Sequence, residues 1–413
     1  MSVPIVSVES IAASQKYSLI GGPFGSKLTS KDYVFKGVPV IRGANMGERY
    51  ISNENLVFVT ESKVNKDLFG NLAYPGDLIF TQRGTLGQVS IIPDKTEFQT
   101  YVISQSQMKL TLDKSKADIK YVYYYFSSNE ARRKIINLDS SSGVPHINLT
   151  ALKNFKIPLP NLIIQKGISA QLSAYDDLIE NNKRRIALLE ESARQLYKEW
   201  FVRFRFPGHE HVKNVDGVPE GWKVGCLGDV LELLGGFAFK SSSYTDKGNY
   251  GVVTIKNVHD SRFVPECQSR VEEIPDKMKQ HCKLNTGDIL LSLTGNVGRA
   301  CIVYGNNYLL NQRVAKIKAK DFISKEFAYW TFTEVSMQRK VENLAYGVAQ
   351  LNLSPSKLAA MEFTIPSLKL ISEFSDITKP IFQQIITLNL SNQELARARD
   401  LLLPKLMSGE LAV

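Results

Sequence analysis

Cysteine is scarce in this 413-residue chain: Cys226, Cys267, Cys282 and Cys301 are the only four, and no two form a C-x-x-C pair. The five histidines show no ligand spacing with them. A disulfide frame and a structural zinc site are both excluded on this pattern, which reads as reduced, cytosolic cysteine. No run of about 18 apolar residues occurs, so no membrane-spanning helix is expected. The opening "MSVPIVSVESIAAS" lacks a basic stretch followed by an apolar one, so no secretory signal is expected there.

Catalytic signatures are missing too. "GGPFGSKL" puts Ser26 where a phosphate-binding P-loop needs glycine before Lys27. There is no G-x-S-x-G, no H-E-x-x-H and no N-P-P-[FYW] stretch of an amino-methyltransferase. The tripeptide Glu61–Lys63 imitates the tail of a nuclease motif, but the Pro93–Asp94 pair follows it instead of preceding it. Acidic residues fall short of basic ones, 41 against 51, leaving a formal net charge of +10. A basic surplus favours an anionic partner, nucleic acid first.

The chain does contain itself twice. "GDLIFTQRGTLGQVSII" (Gly76–Ile92) is echoed by "GDILLSLTGNVGRACIV" (Gly287–Val303), 211 positions on (287 minus 76). Three further segments match in the same order. Leu19–Met46 resembles Leu233–His259, and Val102–Leu110 resembles Leu309–Ile317. Ser141–Pro160 resembles Ala345–Ser367, sharing G-V-x-x-[IL]-N-L. After each copy comes a long stretch with apolar residues alternately three and four apart, the spacing of a coiled-coil seam. In the first it runs through Leu172, Ile179, Asn182, Ile186, Leu189 and Leu196; in the second through Ile381, Ile385, Leu388, Asn392, Leu395 and Leu402. Each helix is expected to run roughly 40 residues, or about 60 Å. An asparagine inside an apolar seam lowers stability but fixes register.

These features predict an α/β (α+β) chain with a pseudo-twofold internal repeat: two similar globular domains joined by two long helices that form an antiparallel coiled coil. The expected boundaries are 1–157 for the first domain, 158–204 for the first helix, 205–223 for a Pro- and Gly-containing linker, 224–366 for the second domain, and 367–413 for the second helix and tail.

Residues that the copies share are expected to serve the fold or sequence-independent contacts. Asp77 and Asp288, each after a glycine, read as turn-capping carboxylates ahead of buried strands. Gly84 and Gly87, with Gly295 and Gly298, bare a loop at two points; the loop either approaches a phosphate backbone with its N–H groups or is a tight turn needing positive φ. Lys27, Arg42, Lys240 and Lys256 sit in matched segments, as do Asn45 and Asn257, and suit general positioning on a phosphate backbone. Residues that differ between copies are candidates for reading different things. Gln82, Arg83 and Thr85 stand against Leu293, Thr294 and Asn296, Gln88 against Arg299, and His146 against Gln350. Gln105, Gln312 and Arg313 lie in the matched Val102–Leu110 and Leu309–Ile317 segments. Arg, Gln and Asn are the side chains that read guanine and adenine edges. The shared Asn148 and Asn352 either cap a turn or touch DNA.

The whole pattern resembles the specificity subunit of type I restriction-modification enzymes. The resemblance covers essentially the full chain. It is carried by "GVPVIRGAN" (Gly37–Asn45), the two GD stretches, "IPLP" (Ile157–Pro160), "LIENNKRRIALLEESARQLYKEWF" (Leu178–Phe201), "GVPEGWK" (Gly217–Lys223) and "RDLLLPKLMSGEL" (Arg399–Leu411). It implies a non-catalytic, cytoplasmic DNA-binding subunit. Each globular domain would be a target-recognition domain holding one half of a bipartite, asymmetric site on double-stranded DNA. The helices would set the gap and dock two methyltransferase (modification) subunits, with restriction/translocase subunits joining that core. S-adenosylmethionine and ATP would belong to the partners, with no cofactor, metal or membrane for this chain. Arg399, on the second seam, would then face a partner subunit. The alternatives are a repeat-built adaptor for protein or glycan ligands and an enzyme with an unfamiliar site.

Overall fold

The computed structural model describes residues 3–139, 143–347 and 351–413. By packing, the chain divides into two units, one made of Met1–Asp177 with Leu395–Val413, the other of Leu178–Glu394. Each unit takes part of both long helices, Leu162–Tyr197 and Leu368–Ser408.

The two units repeat one topology. In the first, an antiparallel sheet has the order Leu19–Gly21, Gln107–Leu110, Leu78–Thr81, Val89–Ile91. In the second, the order is Leu231–Gly235, Val314–Ala319, Ile289–Ser292, Ala300–Ile302. Each unit adds a mixed sheet built on one parallel pair, Val38–Ile41 with Tyr101–Ile103, or Tyr250–Val253 with Tyr308–Leu310. Helices follow at Ile119–Ser127 and Asn129–Ile136, and at Lys325–Thr333 and Val335–Leu344. Asp118, Ser128, Ser324 and Glu334 start them by accepting from backbone N–H groups of the first turn.

The GD strands explain why this frame recurs. Successive side chains of a strand point to opposite faces. Leu78 and Phe80 join the cluster under helix Ile119–Ser127, while Ile79 packs with Ile41, Tyr101 and Ile103 of the mixed sheet. In the second unit Ile289 and Leu291 face the helix bearing Phe327 and Trp330, and Leu290 faces Val253 and Leu310. Burial on both faces is why the segments read as apolar runs. Their aspartates cap the preceding turn: Asp77 accepts from the Tyr74 N–H and Asp288 from the Asn285 N–H, each at 2.8 Å. Each also meets a lysine from the neighbouring strand, Lys109 at 3.7 Å and Lys316 at 2.8 Å. Lys109 and Asp77 are almost wholly enclosed, and burial pushes the carboxyl up and the ammonium down, each toward its neutral form.

Within each unit the helix segments run antiparallel. In the first, Asp176 meets Arg399 and Gly167 lies against Val413. Leu172, Leu403 and Leu406 share a cluster there, with Leu402 packed against it. In the second, Asn182 donates to Asn392 at 2.9 Å, and Tyr197 and Trp200 stack on Phe374. Ile179, Asn182, Ile385 and Leu388 are buried, whereas Ile186, Leu189, Leu196, Ile381, Asn392 and Leu395 are half-buried.

Arg399 does not face outward, contrary to the expectation from the sequence. Its guanidinium meets Asp176 at 2.5 Å, and the Tyr124 hydroxyl donates to the same carboxylate at 2.6 Å. Burial works against its charge, but Asp176 and Asp400 prevail and hold its pKa above the ordinary value. Arg49 adds contacts from the globular part, donating to Asp177 at 2.7 Å and Ser173 at 3.3 Å.

Two predictions follow from these contacts. Arg399→Met strands the Asp176 charge and destabilises the chain by about 3 kcal/mol. Denaturant unfolding measures this, and Arg399→Met with Asp176→Asn recovers most of the loss. In the second unit, burial raises the Glu190 carboxyl from 4.5 to about 8, opposed by Arg194 and assisted by Asp260. The folded state therefore holds a proton that the unfolded chain releases. The associated stability is full below pH 4.5 and is lost as pH rises to about 8. Glu190→Gln removes that loss, so its melting-temperature advantage over wild type widens from pH 5 to pH 8.

Candidate nucleic-acid interface

In each unit four loops converge at one end of the sheets. The parallel strands place two of them side by side, because Ser104 donates from its backbone to Ile41 and Asn311 to Val253, each at 3.0 Å. The GD hairpin docks on the loop beyond: the Gln82 and Arg83 N–H groups both reach the Ser106 carbonyl, and the Leu293 N–H reaches that of Arg313. A fourth segment closes the set, with Arg83 paired to His146 and Thr294 paired to Asn352.

The hairpin glycines are turn glycines. Gly84 and Gly87 have φ of +100° and +82°, and Gly295 and Gly298 of +72° and +82°, a region that side chains avoid. Three of their amides are engaged within the fold: Gly84 donates to Pro145, Gly295 to Leu351 and Gly298 to Ser292, each at 3.0 Å. A phosphate cradle of those three N–H groups is thereby replaced by a closed turn.

Several sequence-derived candidates turn out to be structural. Asn45 is fully buried; it accepts from the Arg42 N–H at 3.1 Å and donates to Ser52 at 3.3 Å and Glu54 at 2.9 Å. Asn257 repeats this with Thr254, Val264 and Glu266. Both close a local loop and cannot reach DNA. Leu293 is buried in the core of its unit. Asn148 caps helix Leu149–Asn154 by accepting from Ala151 at 2.8 Å. Its counterpart is Ser354, which caps Pro355–Ala359, so the shared asparagines are not equivalent and His146 matches Asn352 instead. Gln105 donates to the Gly25 and Leu28 carbonyls and clamps the loop between them. Arg42 is half-buried and donates to Asn55 at 2.7 Å, while Lys256 is exposed and donates to Gln268 at 2.8 Å, so Lys256 stays among the outward basic groups. Gln350 lies outside the described residues.

The outward groups remain. In the first unit Lys27, Arg83, Thr85 and His146 are exposed and Gln82 is half-buried, with its carbonyl oxygen lacking a partner. In the second Lys240, Asn296, Gln312 and Arg313 are exposed, and Thr294 and Arg299 half-buried. With the Asn296 amide oxygen turned to Arg299, both guanidinium nitrogens lie 3.2 Å from it. Sequence reasoning missed Phe24, 83% exposed beside Lys27, and Tyr346, exposed with Lys357 stacked 5.1 Å over its ring. The available signal was an aromatic residue inside a Gly-, Ser- and Lys-rich loop.

Two loop clusters of one backbone design, each with its own outward polar side chains, define a repeated reader mounted on paired helices. The sequence matches the type I restriction modification DNA specificity domain over residues 24–191 and 219–397, and the chain belongs to that family. It is 26% identical to the MjaIX type I restriction enzyme specificity subunit of Methanocaldococcus jannaschii, covering 82% of this chain and 78% of that one. It is 24% identical to the HindI specificity subunit of Haemophilus influenzae, covering 94% and 97%. The crystal structure of a type I S subunit from M. genitalium has the same fold, with a TM-score of 0.54 at 16% identity over 98% of this chain and 99% of that one. Among the described residues no helix is long and apolar enough to cross a membrane, and no cluster of three or more His, Cys, Asp or Glu side chains could hold a metal ion.

Asn45→Ala is predicted to lower stability by about 2 kcal/mol through the unmet partners it leaves. DNA affinity below the melting temperature should stay unchanged, measured by calorimetry beside fluorescence anisotropy.

Proposed function

We propose that this chain is the non-catalytic sequence-recognition subunit of a type I restriction-modification complex, each unit holding one half of a bipartite, asymmetric site on double-stranded DNA. One observation carries the reading. Equivalent turns, closed by the same backbone hydrogen bonds, present Arg83, Thr85 and His146 in one unit and Asn296 in the other, where half-buried Thr294 and Asn352 take the places of Arg83 and His146. A shared frame with unlike outward side chains is what two different half-sites require. Direct readout uses these side-chain types, and the exposed lysines supply affinity that falls with salt.

Two methyltransferase subunits would dock on the long helices. Leu178, Leu188, Ile377 and Leu401 support this: each leaves about half or more of its surface exposed on those helices, where a protein partner would cover it. S-adenosylmethionine and ATP would be held by the methyltransferase and translocase partners.

The test uses the complex of this chain with its methyltransferase. Arg83→Ala should weaken discrimination at one position of the first half-site by about 1–3 kcal/mol and leave the second unchanged; Asn296→Ala should do the reverse. Methylation-site sequencing and competition binding read both. Loss at both halves from either single change would sink the modular reading.

A further inference from the structure

Phe24 stands apart from every other ring in the first unit's loop cluster. It is 83% exposed and, among the described residues, stacks on no other aromatic ring. Its loop is nevertheless held. The Lys27 N–H reaches the Phe24 carbonyl, Gly25 adopts a φ of +60°, and the Gln105 amide donates to Gly25 and Leu28. Gln105 sits one residue before Ser106, whose carbonyl anchors the Arg83 hairpin. The ring therefore rises from the same surface as Arg83, among Ser26, Lys27 and Gln105.

The second unit's equivalent loop lacks this feature, and the exposed ring elsewhere in its cluster, Tyr346, is stacked by Lys357 at 5.1 Å. The two loops are equivalent, since Gly22 abuts Ser104 as Gly236 abuts Asn311. Two residues on from those glycines stand Phe24 and Ala238. The aromatics of the second loop turn toward one another instead, Phe237 on Phe239 at 5.1 Å and Phe239 on Tyr244 at 6.4 Å.

We propose that Phe24 is an apolar wedge that enters the base stack of the first half-site and opens one base step, whereas the second half-site is read without such a distortion. This rests on the DNA-reading function proposed above. A lone exposed apolar ring on a loop that also bears Ser26 and Lys27 matches a duplex, with stacked bases behind a phosphate wall, better than an apolar protein surface. Because the Phe24 carbonyl closes the turn with Lys27 and Gln105 clamps the residues that follow, the backbone bearing the ring is held in place. Opening a step also selects sequences that unstack easily, pyrimidine–purine steps above all, so one residue adds specificity that hydrogen bonds do not supply.

The experiment places 2-aminopurine at successive steps of the first half-site in duplexes bound by the chain with its methyltransferase. Wild type should raise fluorescence at one step. Phe24→Ala should abolish the rise and weaken binding roughly tenfold, while Phe24→Leu keeps a smaller rise. A mismatch at that step should tighten binding by wild type and leave Phe24→Ala indifferent. Phe35→Ala removes a comparably exposed ring outside the Gln105 clamp and should change neither readout. Unchanged fluorescence and affinity in Phe24→Ala, while Arg83→Ala still loses discrimination, would overturn the wedge alone. A Phe24→Ala chain that binds DNA normally but assembles poorly with methyltransferase would overturn it in favour of a protein contact. No site-specific binding by wild type would overturn both readings.

Discussion

The antiparallel pairing of the two long helices is the constraint on which the remaining structure depends. The first unit is completed by a helix segment distant in the chain, residues 395–413, whereas the second is continuous over 178–394 and opens and closes on helix. The first unit is therefore not a single stretch of sequence. Apolar seams alone tolerate sliding, because one leucine fills a hole about as well as the next. Polar groups in the seam do not, since a shift leaves them unpaired in a poorly solvated place. Asn182 with Asn392 in the second unit, and Asp176 with Arg399 in the first, each admit only one alignment of the helices.

On this frame the repeat separates folding from recognition at the level of single residues. The carboxylate of the GD turn, its lysine across the sheet, the positive-φ glycines and the buried loop-closing asparagine recur because each satisfies a local geometric demand. Side chains between them are free to differ wherever the backbone hydrogen bonds are made by neighbours. Arg83 and Thr294 occupy the same ladder position, and the ladder does not depend on which side chain is there. Recognition can change in such a design without disturbing the core.

This separation also explains what was legible in the sequence. The duplication, the two helices and the turn role of Asp77 and Asp288 could be read because apolar periodicity and turn chemistry are local. The role of Asn45 and Asn257 could not. A matched asparagine beside a basic residue looks like a DNA contact, and only three-dimensional closure shows its amide facing carbonyls seven and nine residues on. The slip that sets Ser354 rather than Asn352 opposite Asn148 has a similar cause. Either side chain can cap a helix, so letter identity misled where capping geometry decides. Arg399 looked like an intruder on the seam because its partner, Asp176, lies more than two hundred residues earlier in the chain. Exposure is the least legible property, and Phe24 and Leu293 show it in opposite directions.

The two units reach similar architecture through unlike chemistry where target domain meets helix. The first relies on charge: Arg49, Asp176, Asp177, Arg399 and the Tyr124 hydroxyl form one hydrogen-bonded network. The second relies on rings, with Tyr197, Trp200, Phe201, Phe327 and Phe374 stacked within about 6.4 Å of their neighbours. An ionic junction left without its partner is costly, and an aromatic one left without its partner exposes a large apolar surface. Each helix segment is thus chemically matched to the unit on which it lies. The chain is a duplication whose halves have diverged in their joints as well as in their reading loops. The joints hold the frame fixed by two independent means, so the loops are the part that can vary.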